Sequence, residues 1–179
     1  MSPETRLGAW EAIASYRAIR QFADRPLEPD HLRRILAAGR RAASSKNAQR
    51  WDFVVCSDRA HLRELSAVGP YADHVAGAAV AIALVTPDPH ADGVALSILF
   101  DIGQAAGFME IAARELGIGS CPATVYDQAL TRRLLGYPAD RWCEYMLSFG
   151  YPADPGTLTA PLRPGGRRPI EQIVHEERW

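Results

Sequence analysis

One stretch, Val94–Leu116, constrains this chain more than any other. It reads as a long helix whose only charged residues are Asp101, Glu110, Arg114 and Glu115. A surface helix is polar over roughly half its circumference; this one is apolar nearly all round and must be covered on every side. The chain has 179 residues, enough for one domain with its own core, but with little material to wrap such a helix completely. A second copy of the chain is the natural cover, and the expectation is a homodimer. Gly103 and Gly107, one turn apart on this helix, would let a partner helix approach closely. A central helix in a monomeric core is the alternative.

The other elements follow from periodicity and breakers. Trp10, Ile13 and Ala14 place a short helix over about Gly8–Tyr16. A second starts at Pro29 or Asp30, buries Leu32, Ile35, Leu36 and Gly39, and ends near Ala43. Trp51–Ser57 is rich in aromatic and β-branched residues and predicts a strand. Asp58 caps a helix that runs to Val68. Val75–Thr86 ends as a buried strand, Ser120–Tyr126 reads as a loop, and Asp127 caps a helix stopped by Gly136. Cys143–Gly150 is the third strand. Helices and strands mix without regular βαβ alternation, which predicts an α+β fold rather than a doubly wound one.

Composition excludes several function classes. The net charge is −1, without the positive excess of a nucleic-acid binder. Three cysteines, an odd number with no CxxC, argue against a disulfide framework or zinc site and favour a reducing compartment. The N-terminus has no basic start followed by an apolar run, and Val75–Val85 is too short to span a membrane. The expectation is a cytoplasmic protein with no metal, nucleic-acid or membrane partner.

No GxGxxG, Walker loop, HExxH or GxSxG occurs. Three clusters remain. In Tyr16–Phe22, Arg17 and Arg20 would share one side of a helical turn and could grip a phosphate bidentately; alone, such a pair is usually solvated. In Ser44–Trp51, hydroxyl and amide side chains could read the alternating donors and acceptors of a flavin edge, or form an ordinary turn. In Arg163–Pro169, Gly165-Gly166 permits a sharp bend that would present Arg167 and Arg168 to an anion, or a basic tail would do the same without function.

The ordered set Arg17-Ala18-Ile19-Arg20-Gln21-Phe22, Ser44 to Trp51, Leu116 to Pro122 and Arg167-Arg168-Pro169 before a C-terminal Trp resembles the FMN-dependent nitroreductase family over nearly the whole chain. Tyr126-Asp127 also matches an aromatic before a helix start. The resemblance implies a three-layer fold with a central, mostly antiparallel sheet and long interface helices. It implies a single FMN-binding domain over 1–179, with a domain-swapped arm, about 152–179, reaching to the partner subunit. It implies FMN as cofactor and NAD(P)H as electron donor, with ping-pong hydride transfer through flavin N5 to a small electron-poor acceptor such as a nitro compound or quinone. Reductive dehalogenation and oxidative dehydrogenation are other chemistries of the same fold.

By the same resemblance, Arg17, Arg20 and Arg167 would hold the phosphate, with Ala18 and Arg168 beside it. Ser44, Ser45, Asn47 and Gln49 would contact flavin or ribityl chain from the partner subunit. Pro122, Ala123 and Thr124 would lie against the isoalloxazine, with the Thr124 N–H near N5. No side-chain acid or base is implied. The chain departs from the family pattern at Tyr16, where a basic residue is usual, at Ala18 in place of Ser, at Arg50 in place of Pro, and at Gly165 in place of Lys. These departures motivate a second reading, a flavin-sequestering protein without turnover.

Overall fold

The computed structural model describes residues 7–161 and 166–179; Arg163, Pro164 and Gly165 of the third cluster lie outside them. In chain order the elements are α1 (Ala9–Ala14), α2 (Pro29–Arg40), β1 (Asp52–Cys56), α3 (Arg59–Leu65), β2 (Val80–Pro87), α4 (Ser97–Glu115), β3 (Gly119–Thr124), α5 (Gln128–Leu135) and β4 (Arg141–Gly150), with short 3-10 turns between them.

The strands form one antiparallel sheet in the order β1-β2-β4-β3. Both β2 and the second half of β4 are buried on both faces, because helices cover each side. Val80, Ile82, Leu84, Leu147 and Phe149 pack with Ile35 of α2 and with Ile102, Ala105 and Met109 of α4. On the opposite face Ala81, Ala83, Val85, Ala123 and Met146 pack with Leu62 and Leu65 of α3, Val68 and Val75. These two cores make the three layers. Each fully buried Leu or Ile contributes roughly 1.5–3 kcal/mol.

Local chemistry sets the boundaries. The Asp58 side chain accepts from the His61 N–H at 2.8 Å and that of Asp127 from the Leu130 N–H at 2.8 Å, the expected N-caps. Gly136, at φ 72°, closes α5 in the left-handed conformation. Three expectations change. The helix after Asp58 gives way at Leu65 to a 3-10 turn over Ser66–Val68. Gly119–Thr124 is a strand, not a loop, because its backbone completes the outer edge of β4. A pattern lacking alternation hid it: Pro122 occupies an edge position that needs no donor. In α1, Trp10 and Ile13 are exposed and only Ala12 is buried.

Helix α4 is covered on one side only. Ile98, Asp101, Ile102, Ala105, Met109, Ala113 and Arg114 face inward, whereas Leu96, Leu99, Phe100 and Phe108 are exposed. An added Cβ at Gly103 or Gly107 meets nothing within 4 Å. The exposed side of α4 continues past Gly107 and Phe108 into a groove floored by Ala12 and Ile13 of α1 and Ala37 and Ala38 of α2. No described helix is long and apolar enough to cross a membrane.

Candidate functional site

Gly119 and Gly150 lie directly opposite each other in β3 and β4. A Cβ on Gly119 would fall 2.6 Å from the Cβ of Ile19, and one on Gly150 would fall 2.9 Å from Cγ of Phe22. The glycine pair thus makes the seat for the Tyr16–Phe22 segment. The segment is extended, not a helical turn: the Ile19 N–H donates to the Ser120 carbonyl at 2.8 Å, and Ala18 bridges Ser120 in parallel. The sheet edge, with its unpaired groups, captures the chain before a turn can form.

Arg17 and Arg20 therefore diverge. Arg17 approaches Arg114, whose guanidinium is disfavoured in its charged form first by burial and then by Arg17. Arg20 approaches His74 and Cys121: burial lowers the His74 pKa and Arg20 lowers it further, while burial raises that of the Cys121 thiol and Arg20 opposes the rise. Neither Arg17 nor Arg20 has a carboxylate partner among the described ion pairs. Arg114 is 7% exposed, donates through Nη2 to the Leu158 carbonyl at 3.0 Å, and keeps a buried Nε without a partner. Two guanidiniums brought together with an orphaned donor suit an anion.

Beside this segment a cavity of about 350 Å³ opens between α4 and the sheet. Leu84, Leu99, Ile102, Ala106, Pro122 and Leu147 make it apolar; Glu110, Glu144, Tyr145 and His90 supply its polar rim. The β2–β4 register slips between Leu84 and Val85, so Tyr145 pairs with Leu84 and Cys143 with Val85. This bulge brings both Glu144 and Tyr145 to the cavity, an aiming device common beside sites. Glu110 accepts from the Tyr16 hydroxyl and, at 3.3 Å, from Ser120 Oγ. Burial pushes the Glu110 carboxyl up, and the two donors only partly oppose it.

Pro122 borders the cavity, and Ala123 is buried beneath the sheet. The Val125 N–H donates inward to the Glu144 carbonyl at 2.9 Å, so antiparallel alternation directs the Thr124 N–H away from β4, to the free edge.

The Ser44–Gln49 cluster leaves α2 and returns through Trp51, which is 9% exposed and anchors the chain in the core. Between them Ser45, Asn47 and Gln49 are exposed, and Lys46, Asn47 and Gln49 adopt φ of 55°, 54° and 48°. Left-handed non-glycine residues cost about 1–2 kcal/mol each and gather where function requires them. Ser44 Oγ accepts from the Gln49 N–H at 3.0 Å, and Gln49 Nε2 donates to Asn47 Oδ1 at 3.1 Å. None of these residues lines the cavity of its own chain. Arg167 and Arg168 are exposed on the C-terminal arm, and among the described residues Arg167 donates to the Gly166 carbonyl at 3.0 Å; no described hydrogen bond joins them to Arg17 or Arg20.

Sequence reasoning missed Glu110, Arg114, Asp101 and the glycine pair. For the three charged residues the signal was present in the apolar helix, where each rare charge has a polar partner. Asp101 accepts from Ser45, Glu110 meets Tyr16, Arg114 reaches Leu158, and Glu115 pairs with Arg34 at 2.7 Å.

A three-layer α+β protein with an open sheet edge, an apolar slot beside it and unpaired guanidiniums at one end is built to hold a flat ligand that carries an anion. Similarity to known proteins gives the lineage. The profile described as Nitroreductase family matches residues 13–74 and 66–151, and the chain belongs to that family. An Archaeoglobus fulgidus protein provisionally named NADH dehydrogenase/NAD(P)H nitroreductase is 33% identical over 172 residues, covering 93% of this chain and 96% of that protein. A Thermus thermophilus protein named NADH dehydrogenase is 28% identical, covering 94% and 95%. A solved structure from Desulfovibrio desulfuricans, a provisionally named nitroreductase in complex with FMN, superposes with a TM-score of 0.78 at 27% identity, covering 98% of this chain and 99% of that one.

Proposed function

We propose that this chain is an FMN-dependent NAD(P)H oxidoreductase that works as a homodimer and reduces small electron-poor acceptors such as nitro compounds or quinones. The observation that carries the reading is the free Thr124 N–H on an open sheet edge, next to the apolar cavity that Pro122 borders and on the same strand that seats the Arg17 segment at Ser120. The residues fit the cofactor: an apolar slot for a ring, an edge donor, and guanidiniums that lack a counter-anion, one of them with an orphaned buried Nε.

When bound, FMN supplies the centre that takes two electrons from NAD(P)H and passes them on in a second half-reaction. The protein's share is placement and electrostatics. Arg17, with Arg114 behind it, holds the phosphate, while Arg20 diverges toward His74 and Cys121; Ala18 leaves room beside the phosphate, and Arg167 and Arg168 close on the same anion from the C-terminal arm. Pro122 supports one ring face, with Ala123 packed on the far side of the sheet behind it, and the Thr124 N–H donates toward N5. Ser44, Ser45, Asn47 and Gln49, absent from the cavity of their own chain, serve the partner's site. Residues 1–179 form one domain, with the arm from about 152 crossing to the partner.

The exposed apolar side of α4 and α1 is the surface that the second copy covers. Tyr16, a phenol bonded to Glu110 where the family pattern has a basic residue, favours one competing reading, a flavin-sequestering protein. A spectrum decides. Purified protein, supplemented with FMN if colourless, shows flavin absorbance that NADPH or NADH bleaches anaerobically and a quinone restores. Uptake of FMN without bleaching selects sequestration; no uptake removes both readings.

A further inference from the structure

We propose that Asp101 is the positioning residue of the Ser44–Gln49 loop, its carboxylate locking the loop in the left-handed form that presents Asn47 and Gln49 to a ligand. The proposal rests on the reading of that loop as flavin-contacting. Asn tolerates positive φ, but Lys46 and Gln49 gain nothing from it, so the surroundings must impose it. The bonds from Ser44 to Gln49 and from Gln49 to Asn47 lie within the loop and would survive if it swung as a unit. Two contacts reach outside it, both from α4. Asp101 Oδ2 accepts the Ser45 N–H at 3.0 Å, and Gln104 Nε2 donates to the Ala43 carbonyl at a long 3.4 Å. Asp101 and Gln104 are three residues apart and so share a helix face.

Packing does not explain an aspartate here. Asp101 is 7% exposed, sits on the inward side of α4 between Ile98 and Ile102, and pairs with no cation among the described residues. An aliphatic side chain would fill the space without the cost of burying a charge. What Asp101 adds is an acceptor for one backbone N–H at the base of a loop with three left-handed residues.

Lys46 is the single lysine of the chain, so a lysine-specific endoprotease cuts only within this loop. In the full-length, flavin-free protein, Asp101→Leu should be cut roughly tenfold faster than wild type and should bind FMN roughly tenfold more weakly. Asp101→Asn keeps an acceptor oxygen and should stay within about threefold on both measures. Wild-type cutting in a folded Asp101→Leu, or an Asn variant as impaired as Leu, overturns the proposal. Hydrogen exchange in the wild-type protein needs no variant: the Ser45 amide should exchange at least about tenfold more slowly than that of Lys46, and equal rates overturn the proposal as well. Should Asn47→Ala and Gln49→Ala leave FMN affinity unchanged, the flavin reading of the loop fails, while cutting and exchange still judge Asp101.

Discussion

The Tyr16 phenol donates to Glu110, joining the extended segment at the sheet edge to the apolar helix beside the cavity. Burial raises both groups above their ordinary values, and for Tyr16 the nearby Glu110 charge adds to the rise. The sign for stability follows. A carboxyl whose folded pKa lies above its unfolded value binds its proton more tightly in the native state, so the native state loses stability as pH climbs from the unfolded value of about 4.3 through the raised one. Glu110→Gln cannot ionise and escapes that loss. Thermal melts at a series of pH values should show the wild type losing ground to Glu110→Gln as pH rises, with the gap constant at higher pH; parallel curves would refute the burial argument.

The seat made by Gly119 and Gly150 carries a second prediction. A methyl at Gly119 would meet Cβ of Ile19, which has no freedom to retreat, at 2.6 Å. Gly119→Ala should destabilise the protein by about 1–3 kcal/mol, the usual cost of overpacking. It should also weaken FMN binding, because Arg17 and Arg20 hang from the displaced segment. Ile19→Gly removes that Cβ and the rest of the obstacle, so the double variant should recover part of the lost FMN affinity in a fluorescence titration. Additive losses would show that the contact is not the cause.

Arg17 has no carboxylate partner among the described ion pairs and faces another guanidinium. Its removal should relieve repulsion in the free protein and cost binding in the complex. Arg17→Ala should therefore leave the melting temperature of flavin-free protein unchanged or higher, while weakening FMN by about tenfold or more, the worth of a charge-assisted hydrogen bond. Riboflavin, which lacks the phosphate, should bind both forms alike. Equal loss for riboflavin would assign Arg17 to the ring instead.

Much of this architecture was legible in the chain. The caps at Asp58 and Asp127, the stop at Gly136 and the buried run into Thr86 are local chemistry, and the elements formed as that chemistry requires. What escaped depends on distant partners. Gly119–Thr124 has no strand-like alternation and becomes β3 only because β4 offers an edge. The same edge extends Tyr16–Phe22, so the helical spacing of Arg17 and Arg20 misled. The Cys121 carbonyl accepts from Ser148, which bonds His74 in turn; spacing alone encodes no such chain.

The uncovered side of α4 yields the last prediction. Gly107 opens onto the groove beside α1 and α2, with Phe108, 47% exposed, next to it on the same helix. A Cβ at Gly107 therefore clashes with nothing in its own chain, and replacing glycine inside a helix should by itself stabilise it by about 1 kcal/mol. A partner helix that approaches through the glycines would meet it directly. Gly107→Leu should fold, keep its far-ultraviolet spectrum, and sediment as a monomer where the wild type sediments as a dimer. Because the Ser44–Gln49 loop serves the partner's site in the proposed assembly, that monomer should also lose FMN affinity. A Gly107→Leu protein that remains dimeric would place the second copy elsewhere on the surface.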